Sequence, residues 1–443
     1  MRIQLSDHFT YKKLLRFTIP SIIMMVCTSM YSIIDGLFVS NFVGKTPFAA
    51  LNLMYPIIMA FSTVGFMLGT GGSAIVAITL GKGEKEKANE YFSMLIYIAI
   101  GIGLAISAIA ILFMRPIALV LGATPELLDY CVLYGRILCA SLPAFMLQIM
   151  FQSFLVTAEK PVLSLGISIA SGLTNIFLDF LFIVVFQWGL AGAAAATAFG
   201  QVVGGIVPIL YFSRPNNSLL RLTRTKFYGN VLKNTCVNGS SELMTNLSSS
   251  VVNILYNFQL MKLAGEDGVA AYGVILYANF IFAAIFIGYS MGSAPVVSYH
   301  YGAQNHPELK NLFKKSLTLI AIAGLAMTLL AEGTSAPLTR LFVGYDGDLW
   351  AMTCRGFRLY ALSFLINGFN IWGSGFFTAL GDGVVSAIIS FLRTLVFQIA
   401  VLLILPVFFG LDGIWLAITV AELLALLVTA TFLVKKRTKY HYA

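Results

Sequence analysis

The sequence predicts an all-α polytopic membrane protein, with twelve transmembrane helices in two six-helix lobes related by a pseudo-twofold axis along the membrane normal. Three observations carry that expectation: composition, the spacing of apolar stretches, and an internal repeat. Of 443 residues, 58% are hydrophobic and 11% charged, where a soluble globular chain carries about 25% charged. Mean hydropathy is +0.87. A helix needs roughly 20 apolar residues to cross the hydrocarbon, and stretches of that kind recur along the whole chain.

Charge and Gly/Pro punctuation divide them in order. The first, 14–39, opens after Lys12 and Lys13 and holds both Pro20 and Asp35. The second, 48–80, stops before Lys82, and the third, 91–113, lies between Lys87 and Arg115. The fourth and fifth, 130–157 and 162–186, flank Lys160; the sixth, 189–213, ends at Arg214. In the second half, 234–261 lies between Lys233 and Lys262, and 269–299 and 311–332 flank a loop with Lys310. The last three are 352–380, 384–409 and 411–434, closed by Lys435, Lys436 and Arg437. The N-terminal residues have no apolar core followed by a small-residue cleavage site, so the first stretch is expected to be a retained helix and no signal peptide.

Lys and Arg set the orientation. The N-terminus (Arg2, Lys12, Lys13, Arg16), the loop after the second span (Lys82, Lys85, Lys87) and Lys160 share one side with the basic stretch 214–233, the loop at Lys310–Lys315 and the tail. Only Lys45, Arg115, Lys262 and Arg340 lie opposite. Both termini are therefore expected in the cytoplasm of an inner (plasma) membrane. The net charge of +9 is a topology signal, and no nucleic-acid partner is expected. Five cysteines without CxxC spacing read as free thiols.

Displaced by 221 residues, the chain repeats itself without a gap. Thr157-Ala158 falls on Thr378-Ala379, and Gly71, Gly81 and Gly135 fall on Gly292, Gly302 and Gly356. The expected division is an N-lobe over 1–213, a cytoplasmic linker over 214–233 and a C-lobe over 234–443. Two like-facing bundles suit a cavity between them and alternating access. Asp35 falls on Tyr256, so the acid belongs to the first half alone. An intramembrane carboxylate is a functional candidate by default. Asn175 and Asp179, four apart, share one helix face.

The stretches "LGTGGSAIVAITLGKGEKEKANEYF" from Leu68, "MGSAPVVSYHYGAQNHPELKNLFKKS" from Met291, "DGLFVSNFVG" from Asp35 and "NIFLD" from Asn175 resemble bacterial-type MATE (multidrug and toxic compound extrusion) transporters along the whole chain. The resemblance implies a secondary active antiporter, expelling organic cationic or amphipathic compounds in exchange for H⁺ or Na⁺, with no other cofactor and no metal beyond Na⁺ at Asp35, Asn175 and Asp179. It carries a coupling role onto Asp35, Asn175, Asp179, Thr197 and Tyr134, and bending of the first helix onto Pro20, about four turns before Asp35. Two carboxylates in a poorly hydrated cavity cannot both ionise cheaply; a proton or a monovalent cation between them relieves the same strain.

In the second half, Glu242 matches a position where some Na⁺-coupled members hold an acid. Asn367 and Asn370 stand where those members place a further acid, and Asn253 and Tyr256 give a polar face. These five are candidates for a C-lobe ion or substrate site. Glu422 is expected to pair with Arg393. Methionines 24, 25, 30, 54, 59, 67, 146 and 150 suit either packing or a promiscuous pocket. A monomer is expected. A flippase of lipid-linked saccharides needs deep cations, and only Arg136, Arg355, Arg358 and Arg393 offer them. A channel or a non-transporting scaffold leaves the acids of the first half unexplained. No metal-spaced His cluster, P-loop or nucleophile elbow suggests an enzyme.

Overall fold

The computed structural model describes residues 3–443, apart from the side chains of Ser40 and Lys45. Two orientation markers, Arg2 and the Lys45 side chain, lie outside the described residues. The described residues are mostly helical, with non-helical segments at 3–10 and 214–228. In the first half α1 covers Tyr11–Phe38, α2 Lys45–Gly81, α3 Lys85–Leu112, α4 Met114–Val120, α5 Pro125–Ala140, α6 Leu142–Thr157, α7 Pro161–Asp179 and α8 Gly189–Ser213. In the second, α9 covers Gly229–Gly302, α10 His306–Val343, α11 Gly347–Ala361, α12 Phe364–Ala379, α13 Gly383–Phe391, α14 Phe397–Phe409 and α15 Leu411–Tyr440.

Local chemistry sets the ends. Thr10 caps α1 by accepting from Lys13 N at 3.3 Å. Asn305 caps α10 the same way through Glu308 N, with Pro307 in the first turn, and Asp346 caps α11 through the amides of Asp348 and Leu349. At 1.5 Å per residue the 74 residues of α9 would run about 110 Å, far beyond one bilayer. The rod breaks at Gly265, whose φ of 64° and ψ of −150° no other residue adopts cheaply. The expected seventh and eighth spans fall on either side of it.

Among the described residues, nine helices are long and apolar enough to cross a membrane, or ten when α5 and α6, bent by 54° across Ser141, count as one span. This is a multi-pass integral membrane protein. The helices overrun the expected boundaries: α3 starts at Lys85, and α10 continues past Glu332 to Val343. The basic stretch is shorter than expected, because α9 already begins at Gly229. Residues 214–228 are pinned along α3. Asn89 Oδ1 accepts from Arg221 N at 2.9 Å, Ser93 Oγ from Thr223 N at 2.8 Å, and the Tyr228 hydroxyl bonds the Glu90 carboxylate. His300, expected in a loop, lies in the last turn of α9 and is buried.

The halves meet backbone to backbone on the axis of the repeat. A Cβ on Gly81 would overlap the Tyr299 carbonyl oxygen, and one on Gly302 would overlap that of Ile78. Ile78 and Tyr299 are themselves repeat counterparts, so this contact is symmetric. A second glycine contact, Gly71 against Gly239, is mirrored by Gly292 against Thr18 on α1.

Candidate functional site

Three helices of the first half assemble the acid site, and small residues let them approach. Gly172 on α7 faces the Tyr31 ring of α1 so closely that a Cβ would overlap it. Gly200 on α8 stands against α7, where a Cβ would lie 3.0 Å from Ser171 O and 3.1 Å from the Asn175 Cβ. Ser171 Oγ donates to Gly200 O at 2.7 Å and accepts from Gln148 Nε2 at 2.9 Å, tying α6, α7 and α8 together. Close packing through small residues with hydroxyl and amide cross-links is the usual cement between membrane helices.

Asp35 lies on α1 just before the helix widens into a π-helical turn over Val39–Val43. Asp179 ends α7 where a second π-helical turn, Phe180–Val185, begins. Such turns collect at functional positions. Thr197 Oγ1 reaches Asp35 Oδ1 at 3.5 Å, accepts from Asn175 Nδ2 at 3.3 Å, and bonds Ala193 O at 3.1 Å. The Asp35 carboxyl lies within electrostatic range of Asp179, beside Thr197 and Asn175. Asp35 is half-buried, whereas Asp179 is fully buried, and neither of its oxygens receives a donor among the described residues. Its neighbour is the other carboxyl. Two carboxylates so placed repel one another when both are ionised.

Tyr134, on α5, is buried nearby and within electrostatic range of both acids, but it is not one of the groups bonded to Asp35. Tyr55 on α2 also lies within range of Asp35. Tyr55, Tyr31 and the two glycines escaped sequence reasoning. The gap-free spacing could have flagged Gly172 and Gly200, which fall on Arg393 and Ala421 in the second half. Pro20 is buried within an α1 that stays helical through it. Gly288 stands directly against the neighbouring backbone of Ser21 and Ile22.

The five C-lobe candidates do not converge on one site. Asn253 Oδ1 accepts from the Tyr272 hydroxyl at 2.9 Å. The Tyr256 hydroxyl lies 3.3 Å from Gln398 Oε1, and its ring stacks on Tyr272. Asn370 belongs to a separate network: its Nδ2 donates to Glu422 Oε2 at 2.7 Å, and its Oδ1 accepts from Thr429. Arg393 Nε donates to both Glu422 oxygens at 2.9 and 3.0 Å, the pairing expected from the sequence. Glu242 lies within electrostatic range of Arg393, and Asn367 is buried with its Oδ1 unpartnered among the described residues. The methionines divide, with 24, 54, 146 and 150 buried as packing and Met30 exposed. Among the described residues, no group of three His, Cys, Asp or Glu side chains could hold a metal ion.

Comparison with known proteins agrees with this architecture. The chain is 26% identical over 415 residues to "Multidrug export protein MepA" of Staphylococcus haemolyticus (strain JCSC1435), covering 93% of this chain and 90% of that one. It is 24% identical to the protein of the same name from Staphylococcus saprophyticus, covering 93% and 91%. A solved structure described as MATE in complex with MaL6 superposes with a TM-score of 0.93 at 22% identity, over 98% of each chain. Another, described as the outward-facing conformation of a multidrug resistance MATE family transporter of the MOP superfamily, gives 0.93 at 21%, again over 98% of each. The MatE family model matches twice, over residues 20–181 and 243–404, once in each half. By that double match the chain belongs to the MatE family, that of the multidrug and toxic compound extrusion transporters.

Proposed function

We propose that this protein is a secondary active antiporter that expels organic cationic or amphipathic compounds in exchange for H⁺ or Na⁺. The observation that carries the reading is the Asp35–Asp179 pair, with Asp179 buried and its oxygens without donors among the described residues. One small cation, shared by the pair and backed by the Asn175 and Thr197 oxygens, makes the arrangement tenable. Loss of that cation leaves two facing charges in a poorly hydrated site, a repulsion that drives the helices apart. The same event therefore changes both charge and packing, which is what coupling requires. In this reading α9 counts as two spans, α5–α6 and α11–α12 as one each, and α13–α14 as one. That gives twelve spans in lobes 1–213 and 234–443, with both termini in the cytoplasm of the plasma membrane.

Ion occupancy at the pair removes its charge and lets α1 bend near Pro20, which collapses the first-half side of the cavity and releases the cargo outward. Pro20→Ala is expected to lower coupled efflux; undiminished transport would leave Pro20 as a packing feature. The flippase reading loses ground on the cations. Arg355 is held by Asp412 at 2.9 Å, Arg358 by Ser335 Oγ at 2.8 Å, Arg136 by Ile111 O at 3.3 Å and Arg393 by Glu422. Pyrophosphate would have to compete with these partners.

The test is dye efflux from everted vesicles with ΔpH and ΔpNa imposed separately. Asp35→Asn and Asp179→Asn are each expected to lower gradient-driven efflux at least about tenfold, ~1.4 kcal/mol of coupling, while the proteins still insert. Full coupled efflux in both variants would remove the pair from the mechanism.

A further inference from the structure

Residues 3–10, ahead of α1, lie against both halves of the molecule. Leu5 and Phe9 are fully buried, in a cluster that joins Val156 of the first half to Leu309, Leu312 and Phe376 of the second. Two carboxylates, one from each half, hold the segment's backbone. Glu159 Oε1, at the end of α6, accepts from Leu5 N at 2.7 Å. Glu308 Oε1, in the first turn of α10, accepts from Phe9 N at 2.9 Å, and its Oε2 lies 2.6 Å from His8 Nδ1. The Phe9 carbonyl in turn accepts from Asn311 Nδ2 at 2.9 Å and Lys315 Nζ at 2.7 Å. Charge-assisted bonds of this kind are about twice as strong as neutral ones.

A second observation marks Glu159 as placed for its side chain. It sits at φ 61°, a conformation that favours glycine. In the gap-free register Glu159 falls on Leu380, which is right-handed at φ −79°, and the left-handed residue of that turn is Gly381, one position later, at φ 76°. The first half accepts a strained backbone at this turn and thereby sets a buried carboxylate against the N-terminal segment. Strain of this sort collects where a residue has work to do.

We propose that residues Leu5–Phe9 form a strap that ties the two halves together at the basic end of the molecule, alongside the Gly81–Gly302 contact, and keeps that end closed. Glu159 and Glu308 are its positioning residues. The proposal rests on the alternating-access reading for its purpose: an end that must open to admit cargo needs a tie weak enough to release. A short segment with two buried side chains and two carboxylate anchors meets that need better than a continuous helical interface.

The test is a spin-label distance between Lys85→Cys and Lys310→Cys, both exposed and one in each half, with the five native cysteines replaced by alanine. With the strap intact and no cargo present, a single short distance is expected. In Phe9→Ala, in Glu159→Gln and on deletion of residues 1–9, a longer component is expected to rise at least threefold. An unchanged distribution in the variants that fold overturns the strap. A lowered melting temperature with the distance unmoved also overturns it, because it marks the segment as packing only. The wild type alone tests the cycle. If cargo and coupling ion never lengthen the distance there while strap variants do, alternating access at this end fails and the tie stands.

Discussion

At the scale of single residues, the two halves use carboxylates in opposite ways. In the second half Glu422 is 2% exposed and engaged by Arg393 and Asn370, whereas Asp179 in the first is buried without a donor among the described residues. Removing one member of a buried ion pair leaves a stranded charge, at a cost of about 3–5 kcal/mol. Arg393→Gln should therefore lower the melting temperature markedly, and adding Glu422→Gln should recover much of the loss. If Arg393→Gln melts like the wild type, the pair is not closed in the membrane. Thr197→Val removes one long bond to Asp35, worth about 0.5–1.5 kcal/mol. Efflux should survive with a higher half-saturating ion concentration, read from its dependence on pH or sodium.

At the scale of elements, closeness of approach decides what each helix can do. Gly172→Ala would drive a methyl group into the Tyr31 ring, and overpacking of this kind costs about 1–3 kcal/mol. Pairing it with Tyr31→Leu should restore melting, because the shorter side chain vacates the space. Gly265→Ala places a Cβ at φ 64° and ψ −150°, with an expected loss of about 1–3 kcal/mol and no lost contact, since nothing lies within 4 Å. The two substitutions separate steric from conformational use of glycine by thermal melting alone. The hydroxyls of Ser374, Ser386 and Ser390, bonded at 2.8 and 2.9 Å, are the polar counterpart of such close packing between α12 and α13.

At the scale of the whole molecule, much was legible beforehand. Apolar length marked the spans, the repeat marked the halves, and four-residue spacing put Asn175 and Asp179 on one face. The rest hid for physical reasons. Helices apolar on most sides give no moment to fix their rotation, so nothing in the sequence said that Asn253 and Tyr256 face Tyr272 and Gln398 while Asn370 faces α15. The break within α9 fell where a loop was expected, but the angle between α5 and α6 did not show in composition. The docking of Leu5 and Phe9 is a long-range match that local pattern cannot carry. One prediction belongs to this scale: Gly81→Ala and Gly302→Ala should each weaken closure of the basic end and lengthen the Lys85–Lys310 spin-label distance. An unaltered distance in both would mean that the neighbouring carbonyls yield at no cost.

Gly81 and Gly302 are the same position of one repeating unit, and each presses on the other's neighbour three residues back. A surface that meets its own copy across an axis is what two identical subunits share in an isologous dimer. At its midline the chain therefore meets itself as two copies of one subunit would, and a change at either glycine is felt equally on both sides.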